Sequence, residues 1–220
     1  MATSAAARMS GIDVSHFQQD IDWLQVRRVG VAFAFIKATE GVDVFDARFN
    51  QNWHNARTAQ VLRGAYHFFR PQLDAETQAR YFLAKIEDDP GDLPPVLDIE
   101  VLANTAPERM IVGAGKWLET VKMSIGCKPI VYTASAFWRN TLKNSPTFSE
   151  YPLWIAHYTT GPNPLLPSAW PRWTFWQFSQ QGKVAGITGN VDLDIFNGTA
   201  AELEAFCMPG VARLKDGIPA

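Results

Sequence analysis

The arrangement best able to do chemistry in this chain is a run of five residues, Val96-Leu97-Asp98-Ile99-Glu100. Pro94 and Pro95 punctuate the chain just before it, and Pro95 to Glu100 reads as a strand. Alternate side chains of a strand share a face, so Val96, Asp98 and Glu100 point one way and Leu97 and Ile99 the other. At a rise of ~3.3 Å per residue the two acidic Cα atoms lie ~7 Å apart. Two carboxylates held close and away from water repel each other, and repulsion plus desolvation raises the pKa of one of them. The product is an acid that can protonate a leaving oxygen beside a carboxylate that stays ionised. Glycoside cleavage uses that pairing. An Asp-x-Glu triplet alone is common, and a hydrated strand end explains it equally well.

Two further acids change the balance. Asp13 sits in Gly11-Ile12-Asp13-Val14-Ser15, and Asp192 in Gly189-Asn190-Val191-Asp192-Leu193-Asp194. If the strands carrying Asp13, Asp98 and Asp192 close into a barrel, their ends open on one mouth, where the active sites of such barrels are built. Four acids meeting there have no structural excuse. Tyr66 and His67 end another strand segment, as do Tyr132, Trp154, and the pair Trp176 and Gln177. Together they form a candidate substrate-binding wall of aromatic faces and scattered hydrogen-bonding groups. Singly, each is more often a packing residue, and strand alternation lets only some of them face inward.

The elements that must position these residues alternate. Strand-like segments are expected at Met9–Val14, Val31–Lys37, Arg63–Phe69, Pro95–Glu100 and Lys128–Thr133. Helical spacing follows each. One helix spans Ile21–Val29 with Asp20 as its cap, one spans Ala47–Ala59, and one opens on Asp74. Another has Pro107 at its first position, and a short one falls near Ser135–Lys143. Three more strands, Pro152–His157, Trp173–Phe178 and Val191–Ile195, follow with irregular links, and a helix over Ala200–Phe206 closes the series. Repeated β-then-α order predicts a parallel sheet, and eight strands predict closure. The expected fold is α/β, a modified TIM-like barrel of five βα units followed by three strands, (β/α)5(β)3. Residues 11–207 make the single catalytic-size domain, between tails at 1–10 and 208–220.

Composition narrows the function. Apolar residues make up 47% of the 220, enough for a sizeable core, and 20 Lys and Arg nearly cancel 22 Asp and Glu. No basic run suggests a nucleic-acid partner. No segment approaches the ~20 apolar residues of a membrane span, and the first ten residues lack the apolar stretch of a secretory signal. Five of the eight tryptophans fall between Trp138 and Trp176, through packing or through a sugar-binding surface. Cys127 and Cys207 read as buried thiols, a long-range disulfide being the alternative. His16, His54, His67 and His157 lack metal-site spacing, and neither a Gly-x-Ser-x-Gly elbow nor a Gly-rich phosphate loop is present. No metal and no cofactor is expected.

The full set of segments resembles a known family. GIDVSHFQ, FAFIKATEG, GAYHFF, LDIE, KPIVYT, PLWIAHY, FWQFS and GNVDLDIFNG, in that order from about Gly11 to Phe206, resemble glycoside hydrolase family 25, the Chalaropsis-type lysozymes. The resemblance implies a barrel of five βα units plus three strands. It implies N-acetylmuramidase activity on the β-1,4 bond between N-acetylmuramic acid and N-acetylglucosamine, by a monomer working on peptidoglycan glycan strands in the cell wall, extracellular or periplasmic. Glu100 matches the family's proton donor, Asp98 its partner, and Asp13 and Asp192 the two other active-site acids. Two mechanisms remain open: attack by the substrate's own N-acetyl carbonyl, or a carboxylate nucleophile or activated water served by Asp192 or Asp13. A chitinase-like hydrolase of N-acetylglucosamine polymers and a non-catalytic wall-binding barrel are the competing readings.

Overall fold

A computed structural model describes residues 8–208. Residues 1–7 and 209–220 of the expected tails lie outside the described residues. The first strand, β1, spans Met9–Val14 as expected from the sequence, so it begins two residues before Gly11. At the other end Met208 is buried, and its backbone N–H donates to the Asp92 carbonyl.

Four βα units follow in regular order. They are β1 with α1 (Trp23–Arg28), β2 (Phe33–Glu40) with α2 (Phe49–Thr58), β4 (Leu62–Phe68) with α3 (Ala75–Ile86), and β5 (Val96–Asp98) with α4 (Pro107–Ile125). A two-residue strand, β3 (Val44–Phe45), folds back antiparallel on the end of β2 and was not expected. The fifth unit is β6 (Ile130–Ala134) followed by a single π-helical turn, Phe137–Thr141, in place of a regular helix. Strands β7 (Leu153–Ala156), β8 (Phe175–Gly182) and β9 (Val191–Phe196) and the helix α5 (Ala200–Phe206) complete the chain.

The helix starts follow local chemistry. Asp74 caps α3 by accepting from the Thr77 N–H at 2.8 Å, and Pro107 opens α4. The cap of α1 is Asp22 rather than Asp20, because Asp22 reaches the Gln25 N–H at 3.1 Å while Asp20 instead accepts from Arg48 at 2.7 Å.

The eight long strands close into a barrel in the order β1-β9-β8-β7-β6-β5-β4-β2, with β2 paired back to β1. All neighbours are parallel except β9, which runs antiparallel to both β1 and β8. The parallel pairing expected from the βα rhythm holds among the other seven barrel strands and gives way only at β9. The β8–β9 connection, residues 183–190, is shorter than the dozen or so residues that a parallel crossover needs.

Two apolar layers hold the barrel. Ile12, Ile36, Ala65, Leu97, Val131, Ile155 and Trp176 point outward against the helices. Phe33, Phe35, Val96, Ile130, Trp154, Phe175 and Phe196 fill the interior. Within it, Phe33 and Phe35 pack edge-on to Phe175, at 5.1 and 5.0 Å between ring centroids. Glycine makes room for these rings. A Cβ on Gly11 would lie 2.2 Å from the Phe33 ring, and one on Gly64 would lie 2.7 Å from Phe35. With the interior filled, the rim at the C-terminal ends of the parallel strands is the place in this fold for chemistry.

Candidate active site

A cavity of about 220 Å³ opens at that rim. Asp13, Asp98, Glu100 and Asp192 all line it, as do Tyr66, Tyr132, Trp154 and Gln177. Asp98 ends β5 pointing inward, and Glu100 follows just past the strand end, half-buried. Asp13 and Asp192 are direct cross-strand partners. The reversed direction of β9 is what lifts Asp192 to the mouth, since it lies near the start of its strand.

Strand parity separates the other candidates. Tyr66 and Gln177 face inward, so His67 and Trp176, their chain neighbours, face out, and neither lines the cavity. His67 is fully buried between β4 and the helices. Its Nδ1 lies 2.7 Å from the Thr39 hydroxyl and its Nε2 3.1 Å from Gln78 Oε1, and its ring stacks on Trp117 at 5.5 Å. The amide oxygen at Nε2 makes that nitrogen the proton carrier and leaves Nδ1 to accept from Thr39. Burial pushes the imidazole down to about 4, so it is neutral. Trp176 donates its indole N–H to the His157 carbonyl at 2.8 Å and packs against Trp173. Both are structural residues of the outer layer.

Gln177 ties the acidic wall together. Its Nε2 donates to Asp13 Oδ2 at 2.7 Å and reaches Asp192 Oδ2 at 3.4 Å. Its Oε1 accepts from the hydroxyls of Tyr132 at 3.0 Å and Tyr158 at 2.8 Å. This neutral amide donates to two carboxylates that face each other across the sheet, an arrangement that costs stability if left unbridged.

The sequence reading missed a basic group on β2, the strand beside β1. A bulge after Lys37 shifts the register of β2, and bulges re-aim side chains. Lys37 lines the cavity and donates to Glu40 Oε2 at 2.7 Å. Arg70 pairs with the other Glu40 oxygen. Burial alone would raise Glu40, but hydrogen bonds from Lys37 and Arg70 outweigh it and hold the carboxyl low. The KATE segment carries this pair in plain sight, but only the bulge brings Lys37 and Glu40 to one side. Exposed Phe17 and partly buried Gln18, on the turn after β1, form the rim.

The acids are strongly perturbed. Burial, then the nearby Glu100 charge, push Asp98 well above the usual carboxylate range, with Lys37 opposing. Burial likewise raises Glu100, against Lys37. Burial, then the charges of Asp194 and Asp192, push Asp13 well up, and burial raises Asp192. Asp98 Oδ1 is enclosed and has no hydrogen-bond partner among the described residues. A buried carboxylate oxygen in that state is costly unless a ligand supplies a donor.

Residues 12–187 match the model of the glycosyl hydrolases family 25. The chain belongs to that family. Among the relatives of this family 25 hydrolase is the Escherichia coli strain K12 protein YegX, 42% identical over 207 residues, covering 92% of this chain and 74% of that one. Lysozyme M1 of Streptomyces globisporus is 39% identical over 209 residues, covering 90% and 70%. In structure, the hydrolase is similar to the bacterial lysozyme from Streptomyces coelicolor, with a TM-score of 0.86 and 35% identity over 93% of this chain and 99% of that one. Among the described residues, no helix is long and apolar enough to cross a membrane. Cys127 and Cys207 are free and only half-buried.

Proposed function

We propose that the protein is an N-acetylmuramidase that hydrolyses the β-1,4 bond between N-acetylmuramic acid and N-acetylglucosamine in peptidoglycan. Its site would be a single catalytic unit acting as a monomer on the cell wall, outside the cytoplasmic membrane. The observation that carries this reading is the pairing of Glu100, half-buried at the mouth, with Asp98, whose enclosed Oδ1 lacks a donor. A 2-acetamido sugar brings the missing donor in its amide N–H. The lysozyme names among its relatives support the same substrate.

In this reading the two carboxyls titrate together and hold one proton between them. An acetamido N–H donated to Asp98 favours its charged form and leaves the proton on Glu100. Glu100 then gives that proton to the glycosidic oxygen as the bond to the anomeric carbon breaks. The acetamido carbonyl oxygen attacks the same carbon and closes a five-membered ring. Asp98 stabilises the positive charge that develops on the acetamido nitrogen. Water, losing its proton to Glu100, reopens the ring at the anomeric carbon, so configuration is retained. This substrate-assisted route departs from the two-carboxylate scheme. Lys37, fixed by Glu40 and Arg70, supplies positive potential beside both acids. Asp13 and Asp192, held by Gln177, form the opposite wall, and Tyr66, Tyr132 and Trp154 give apolar faces for the sugar rings.

Glu100→Gln tests the assignment. Turnover on purified peptidoglycan should fall ~10²–10⁴-fold by loss of general-acid help, with the circular dichroism spectrum unchanged. Muropeptide mass spectrometry after digestion in isotopic water should place the label on muramic acid reducing ends. Equal release from chitin, or near-wild-type cleavage by the variant, would overturn the reading.

A further inference from the structure

One buried acid plays no part in the mechanism above. Asp194 lies on β9 one inward position deeper than Asp192 and is 1% exposed. Its Oδ1 accepts from the Trp154 indole N–H at 2.7 Å. Its Oδ2 is equally enclosed and has no hydrogen-bond partner of ordinary kind among the described residues. The inward acid on β1 is Asp13, diagonal to Asp194 across the β1–β9 ladder, and the two carboxyls are within hydrogen-bonding reach of each other. Two carboxylates cannot make that contact without a hydrogen between them. Asp13, for its part, already has Oδ2 taken by the Gln177 amide N–H.

We propose that Asp13 and Asp194 share a single proton, and that Asp194 is a positioning residue which, through that proton and the Trp154 indole, fixes the Asp13 carboxyl on the cavity wall. The surroundings agree from every side. On β1 the facing group is Asp13 itself, and on β9 the other charge is Asp192, which also lies within hydrogen-bonding reach of Asp13. From β8 comes the neutral Gln177 amide and from β7 the neutral Trp154 indole, with the Tyr158 hydroxyl also in the field of the pair. Burial, with the Asp192 charge adding to it, pushes Asp194 up to about 8 against the opposing hydrogen bonds to Trp154 and Asp13. The pair keeps its proton at neutral pH and carries one negative charge in place of two. Trp154 also packs with tilted rings against Phe35 and Tyr132, each at 4.3 Å between centroids, so Asp194 ties Asp13 to the aromatic floor of the cavity.

The proposal rests on the muramidase reading only for its kinetic arm. Asp194→Asn puts a permanent N–H where the shared proton lies: its Oδ1 accepts from Trp154 and its Nδ2 donates to Asp13. Asp194→Leu supplies neither. On peptidoglycan near pH 6, the Asn variant should keep kcat/KM within about threefold of wild type, and the Leu variant should lose at least about tenfold, mostly in kcat. Independently of activity, the ¹⁵N-labelled Trp154 indole resonance, assigned with Trp154→Phe, should shift with pH in wild type with a midpoint about 8. It should stay flat there in Asp194→Asn. A flat wild-type resonance from about pH 5 to 9, or the same titration surviving in the Asn variant, overturns the shared proton. Equal kinetic losses in the Asn and Leu variants overturn the positioning role. Absence of any cleavage by wild type would strike the muramidase reading while leaving the resonance test intact.

Discussion

Replacing Gln177 by leucine separates the polar network around the cavity from simple packing. The residue is 2% exposed, and leucine fills nearly the same space. What disappears is a set of bonds of unequal worth. The 2.7 Å donation to Asp13 ends on a buried charge-bearing group and counts for about 2 kcal/mol. Tyr132 is only 8% exposed and its hydroxyl loses its acceptor, which costs about 1 kcal/mol. The Tyr158 residue is 48% exposed and its hydroxyl can turn to water, and the 3.4 Å contact with Asp192 is marginal, so neither adds much. The sum is about 3 kcal/mol. For a chain of this size, that lowers Tm by roughly 6–12 °C, read by circular dichroism near pH 7. Gln181→Leu on the exposed end of the same strand should change stability by less than about 0.5 kcal/mol. A Gln177→Leu variant melting within about 2 °C of wild type would refute the claim that this amide satisfies the acids.

The remaining predictions concern residues that sequence and structure treat differently. His67→Gln should keep kcat/KM on peptidoglycan within about threefold, because the side chain does not line the cavity. The His67 imidazole is held neutral with a folded value of about 4, below its unfolded 6.5. Its contribution is therefore complete above about pH 6.5 and is lost as pH falls toward 4, by up to about 3 kcal/mol. Urea titrations across that window should show a shallower pH dependence in the variant. Gly11→Ala should destabilise by about 1–3 kcal/mol through the clash with the Phe33 ring, and Gly11→Ala combined with Phe33→Leu should recover part of the loss. Because burial raises Glu100, cleavage should be strongest on the acid side of neutrality and fall as pH rises through the Glu100 value. Lys37→Met should move that fall to higher pH, and an unmoved profile would remove Lys37 from the electrostatics of the site.

How much was legible in the chain follows from what each signal encodes. Residue type and period report which side chains share a strand face, so the Asp98–Glu100 pair, the cap at Asp74 and the βα rhythm could be read directly. The four acids were nominated by spacing and by their place near strand ends, and the closed barrel brings them to one cavity. Local pattern does not state parity for adjacent aromatic and polar residues. Tyr66 and His67, or Trp176 and Gln177, are equally plausible inward-facing residues until the barrel decides which layer each faces. Three features belonged to tertiary structure alone. The antiparallel course of β9 lifts Asp192 to the mouth and sets Asp194 beneath it, because so short a link cannot return the chain for a parallel strand. The bulge in β2 brings Lys37 to Glu40, a register event that no residue count announces. The perturbed acids exist as such only once a filled barrel excludes water from them, since desolvation is a property of surroundings and not of residue type.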